Sequence, residues 1–210
     1  MLDGQDQFAG ETALMTDAVR RQPDAAPDAW KHRRDAFEPA GSPFWWARIP
    51  ILAWGAWTWI RHLRDDQYQD LVKGLNLGLH EMGHLIFGGL GEFPGILGGS
   101  LFQCLCPAIA FVVFLRQRDR FGLAFCFAWL GSNLFDVAAY IGDARAMELP
   151  LVSPFGGDGE VIHDWNWILG RFGWLPYDQT LAGTARLLGS AAFLLFLIWG
   201  SREVWRLRKS

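Results

Sequence analysis

Between residues 44 and 200 the sequence divides into five apolar blocks, at about 44–60, 71–90, 96–115, 121–141 and 181–200, the first four separated by short charged or glycine-rich breaks and the last by a polar segment at roughly 143–180. At about 1.5 Å per helical residue each block approaches or exceeds the ~30 Å hydrocarbon core of a bilayer. A helix satisfies its own backbone polar groups in lipid, so the pattern predicts an all-α fold. The expected architecture is a polytopic membrane helix bundle with about five transmembrane helices. Composition agrees, because 51% of the 210 residues are hydrophobic and 12 are Trp and 16 Phe, too apolar and aromatic for an ordinary soluble domain. The segment 161–175, "VIHDWNWILGRFGWL", is too short and polar to span. Its aromatic residues at near-helical spacing predict a helix lying in the membrane interface.

The ends differ in character. Residues 1–43 are rich in Pro, Asp, Ala and charge and read as a polar tail, expected to be mobile, while 201–210 is basic. The start lacks the features of a cleaved secretory signal, so the first apolar block is expected to direct insertion. A net charge of −3 and the lack of a basic stripe exclude a nucleic-acid partner. The three cysteines lie inside apolar blocks and read as packing residues rather than a disulfide framework or zinc ribbon. Basic residues follow the first span (Arg61, Arg64, Lys73), join the third and fourth (Arg116, Arg118, Arg120) and follow the fifth (Arg202, Arg206, Arg208, Lys209). If the spans alternate, all three groups share one side, which the positive-inside rule makes cytoplasmic. The expectation is an integral membrane protein of bacterial inner-membrane type with its C-terminus in the cytoplasm and the tail and residues 143–180 outside. The tail cluster Lys31, Arg33 and Arg34 runs against that arrangement.

Chemistry concentrates in "LNLGLHEMGHLIFGGL", residues 75–90. His80-Glu81-Met82-Gly83-His84 is an HExxH pattern, which on a helix turns both imidazoles to one face so that they can share a metal ion. Glu81, about 100° around the axis, can stand beside the metal's water as a general base. Ionisable residues at mid-bilayer cost at least about 2.5 kcal/mol each on insertion scales, so three within five residues need a common purpose. A bound Zn²⁺ supplies one, and an open catalytic zinc site needs a third protein ligand. Asp136, Asp143, His163 and Asp164 are candidates. Counted from Leu71 and Phe121 as cytoplasmic ends, His80 lies about 14 Å deep, His84 about 20 Å, Asp136 about 22 Å and Asp143 about 33 Å. Depth therefore favours Asp136, with Asp143 and His163 as alternates. Asn133 and Tyr140 share its face and can bind the carboxylate or a substrate backbone. His163 and Asp164 can also form an outlying or gating pair.

These residues resemble the site-2 protease family of intramembrane zinc metalloproteases, in a short and divergent form. The resemblance covers about residues 71–145: "HEMGH" at 80–84, "GGSLFQ" at 98–103 and "GSNLFD" at 131–136, in the family's order. Gln103 stands where the family commonly has Asn. No proline follows Asn133 and no Asp-Gly follows Asp136, while "YIGDAR" at 140–145 is similar to that signature in another register and keeps Asp143 open. The resemblance implies hydrolysis of a peptide bond in or near a transmembrane segment of a substrate protein within the bilayer. Zn²⁺ on His80, His84 and Asp136 would activate a water reached from the cytoplasmic side, with Glu81 as base. The alternative is a non-proteolytic membrane adaptor or chaperone in which the same residues form a structural metal or polar site. A multi-histidine iron oxygenase is disfavoured by the five histidines of the chain, of which two share a span.

Overall fold

A computed structural model describes residues 44–150 and 162–209; the polar tail 1–43 and the first residue of the expected interfacial segment lie outside the described residues. The described residues contain helices and no strand. A 3₁₀ turn at Trp45–Arg48 leads into α1 (Ile49–Arg64), followed by α2 (Lys73–Gly88), α3 (Glu92–Gln117), α4 (Arg120–Gly142), the short α5 (Asp164–Arg171) and α6 (Asp178–Lys209). Sequence signals set several of these boundaries. Pro50 begins α1, where a missing N–H is harmless. Gly91, at φ 119°, makes the corner between α2 and α3 that an L side chain would strain. The Asp119 carboxylate caps α4 by accepting from the Gly122 N–H at 2.9 Å.

Helices α3, α4 and the last helix with its lead-in, Leu175–Lys209, are long and apolar enough to cross a membrane. Their polarity is inverted relative to a soluble protein. Leu187, Leu188, Leu194 and Leu195 of α6 are exposed, whereas Asn76, Gln103, Ser132 and Asn133 are buried. Outward apolar and inward polar residues fit a chain whose surroundings are lipid. Small residues bring helices close: Gly131 of α4 faces Phe193 and the Gly189 carbonyl of α6, and Phe135, Phe193, Phe196, Ala124 and Ala128 fill the core between them.

Helix directions depart from simple alternation. α3 runs antiparallel to α4, with Phe111 against Phe127 at one level and Gln103 Nε2 donating to the Asn133 carbonyl at another. α6 is also antiparallel to α4, as Gly200 lies by Phe121 and Gly142 by Ala182. α1 runs parallel to α4: Arg48 lies over Phe121, Trp54 stacks on Phe125 and His62 on Phe135. α2 then continues in that direction, from Asn76 beside Ser132 and Trp129 to His80 beside Tyr140. The two 16-residue helices, about 24 Å each, therefore run the same way along the 23-residue α4, α2 displaced toward its C-terminal end and overlapping α1 at its middle. The charged run "RDDQYQD" at 64–70 interrupts them, and its Asp70 binds His62 and Ser132 against the middle of α4. The expected spans 44–60 and 71–90 thus do not alternate in direction. Hydropathy marks where an apolar block lies but not which way it runs.

Candidate metal centre

His80 and His84 lie one turn apart on α2, and the geometry around them follows from a close helix crossing. Gly83 of α2 meets Gly98 of α3 backbone to backbone, where an added Cβ would fall 2.2 Å from the Gly98 carbonyl oxygen. One residue further, a Cβ on Gly99 would fall 2.6 Å from Nε2 of both histidines. Glycine at 83 and 98 therefore lets the helices touch, and glycine at 99 gives the imidazoles their room.

Each ring is oriented from behind. His84 Nδ1 donates to the Gly95 carbonyl at 2.8 Å, and His80 Nδ1 donates to Gln103 Oε1 at 2.8 Å. Both partner atoms accept, so Nδ1 carries a proton and Nε2 is turned to the opposite side, where it can hold a second proton or a metal ion. The two Nε2 atoms converge on one oxygen of Asp164, at 3.0 Å from His80 and 3.2 Å from His84. These three ligand atoms lie within 4.8 Å of one another, the one His/Cys/Asp/Glu group among the described residues with that property. Either a proton on each Nε2, donated to the carboxylate, or a shared cation joins these atoms, and a His₂-carboxylate set is a donor set that zinc takes.

Asp164 arrives on α5. His163 caps that helix by accepting the Asn166 N–H at Nδ1, so its Nε2–H donates to Asp143 at 3.2 Å. The Asn166 side chain donates to the Ala144 carbonyl, and the Asp164 N–H to the Tyr140 hydroxyl at 3.1 Å. Tyr140 also faces His80, with ring centroids 5.8 Å apart. Burial pushes the Asp164 carboxyl up, but hydrogen bonds from His80 and His84 outweigh it and hold the group below the usual carboxylate range.

The expected third ligand is elsewhere. Asp136 accepts from Lys73 Nζ at 3.0 Å and from Asn76 Nδ2 at 3.1 Å, both on the turns of α2 before His80. The depth count that favoured it took Leu71 as a membrane boundary, whereas α2 begins beside the middle of α4. Asp143 organises the chain after α4, accepting from the Glu148 and Leu149 N–H groups at 3.0 Å besides His163. His163 is the cap and tether of α5, with its ring against Tyr140. Asn133 is fully buried with both amide atoms unpartnered. Glu81 is half-buried on the helix that carries both imidazoles. Among the expected site residues, then, His80, His84 and Tyr140 come together, Asp164 takes the place expected of Asp136, and Gln103 adds a support. The sequence signal for Asp164 was an Asp-containing "HDW" opening an amphipathic helix too short to span. Comparison with family models, curated proteins and solved structures finds no match to this chain.

Proposed function

We propose that this protein is a membrane-embedded zinc metallopeptidase, with His80, His84 and Asp164 holding the ion and Glu81 as general base. The observation that carries this reading is the convergence of two back-bonded imidazoles on a single Asp164 oxygen. When bound, zinc supplies Lewis acidity and a water acidic enough to be used near neutral pH. Glu81, next to His80 in sequence and on the same helix, would serve as the base that takes a proton from water and passes it to the leaving amine. Gln103 and the Gly95 carbonyl hold the imidazoles in the orientation that ligation would need. The substrate class is a membrane protein cut in or near a transmembrane segment, as the resemblance of "HEMGH" and its neighbours to the site-2 proteases suggests.

The test is metal analysis of the purified protein together with a reconstituted cleavage assay on single-span substrates. Wild type is expected to carry one zinc per chain and to cleave. Glu81→Gln is expected to keep the metal and lose about 10²–10⁴-fold in rate. Equal cleavage by both proteins, or wild type free of metal, would remove the reading. A structural clamp between α2 and α5 predicts instead that Glu81→Gln is silent.

A further inference from the structure

The helix directions fix which end of the bundle holds the site. Phe121, Gly200 and Arg48 meet at one end, where Arg208 also lies over Trp45 and Lys209 over Trp205. The described N-terminal residues and the C-terminal residues therefore share a rim, together with the turn between α3 and α4. Arg48, Arg116, Arg120, Arg202, Arg208 and Lys209 make that rim strongly basic. The opposite rim carries Glu92, Asp143, Glu148, Asp164 and Asp178 against Arg145 and Arg171, and on its side of Phe135 Arg61, Arg64 and Arg186 stand among Asp65, Asp66 and Asp70.

The metal centre belongs to that opposite rim. Gly95, which holds His84, is three residues into α3, about 5 Å from its start. Tyr140, which touches His80 and Asp164, is about 30 Å along α4 from Arg120 and two residues from the helix's end. The His84 side chain is 27% exposed there. Since α1 starts level with Phe121 and α2, running the same way, reaches Tyr140, the pair makes one net passage with a step back between them, and α3, α4 and α6 complete four passages in all.

We infer that the His80–His84–Asp164 centre opens on the extracytoplasmic face, away from the basic rim, and takes polypeptide segments presented at that face. The orientation rests on the preference of basic rims for the cytoplasm, with Trp45 and Trp205 as interfacial anchors. This differs from access through the cytoplasmic side, which the count of alternating spans implied. Four passages also put residue 44 on the cytoplasmic side, so that the tail cluster Lys31, Arg33 and Arg34 no longer opposes the charge rule. The substrate class rests on the peptidase reading, whereas the orientation does not.

The test is a map of cysteine accessibility in intact cells. Cys104, Cys106 and Cys126 are replaced by Ala, and single cysteines are introduced in the full chain at Phe44, His84, Glu92, Arg116, Gly170 and Arg202. A membrane-impermeant maleimide is expected to label His84→Cys, Glu92→Cys and Gly170→Cys in intact cells. Phe44→Cys, Arg116→Cys and Arg202→Cys are expected to react only after permeabilisation. Labelling of His84→Cys only after permeabilisation, or from neither side, would overturn the inference, as would Phe44→Cys reacting from outside. A fluorescent protein fused after Ser210 in the otherwise native chain gives a second reading that needs no cysteine replacement: fluorescence is expected, and its absence from a well-expressed fusion overturns the orientation. None of these readouts requires metal or catalysis, so loss of the peptidase reading would leave them standing.

Discussion

Two polar clusters built from the same residue types lie along α4, one around His80, His84 and Asp164 and the other around His62, Asp70, Ser132, Asn76, Asp136 and Lys73. In the second, the acceptors are met by donors. Asp70 receives Ser132, His62 and the Val72 N–H, while Asp136 receives the Lys73 ammonium and the Asn76 amide. In the first, both Nδ1–H groups are spent on carbonyl oxygens, and two Nε2 atoms converge on one carboxylate oxygen. Convergence of two imidazoles on one oxygen thus separates the group with metal-ligand geometry from a network of mixed donor–acceptor pairs, where a count of His and Asp residues would not.

That contrast can be broken most severely at Gly99. A Gly99→Val chain keeps every ligand but drives carbon into the space between the imidazoles, so zinc content measured on the purified protein should fall from one ion per chain to none, as for His80→Ala. Retained metal would mean that the imidazoles can swing clear. The next effect falls on stability rather than on metal. Asp136→Ala leaves Lys73 and Asn76 without their acceptor and should cost about 1–3 kcal/mol in denaturant unfolding, kept modest because the Lys73 side chain is 35% exposed. Zinc content should not change; its loss would return Asp136 to the ligand set.

A smaller effect concerns acidity. Because the folded state holds Asp164 below its ordinary pKa, its contribution to docking α5 is fully present above the ordinary carboxylate range and fades as pH falls through the folded value. In metal-free protein, tryptophan emission should be flat down to about pH 5 and change below about pH 4, with the change absent in Asp164→Asn. The smallest expectation is Asn133→Leu, which removes two unpartnered buried amide atoms and should alter stability by less than about 1 kcal/mol, in either direction. A marked fall in cleavage with unchanged stability would instead assign Asn133 to substrate.

The sequence made parts of this molecule legible and hid others for definite reasons. An i, i+4 pair of histidines can face only one way on a helix, so the pairing of His80 with His84 was readable from spacing alone. Periodicity set Tyr140 on the face of Asp136, but its hydroxyl accepts from the Asp164 N–H instead. Asp164 was not readable, because its approach depends on α5 folding back on the bundle, held by His163, Asp143 and Asn166 across the gap from α4. The apolar blocks were visible, yet the shared direction of α1 and α2 was not, since it is set by His62 and Asp70 packing onto residues more than 60 positions later.

The Gly83–Gly98 crossing carries a mechanical consequence. With two backbones in direct contact there is no side chain to re-rotamer between them, so α2 and α3 form a stiff pedestal under both imidazoles. α5 is held differently: its hydrogen bonds from His163 and Asn166 tie it to the residues that end and follow α4, and its Leu169 is packed into the core. The two imidazoles thus rest on backbone against backbone, and the carboxylate on a set of side-chain ties.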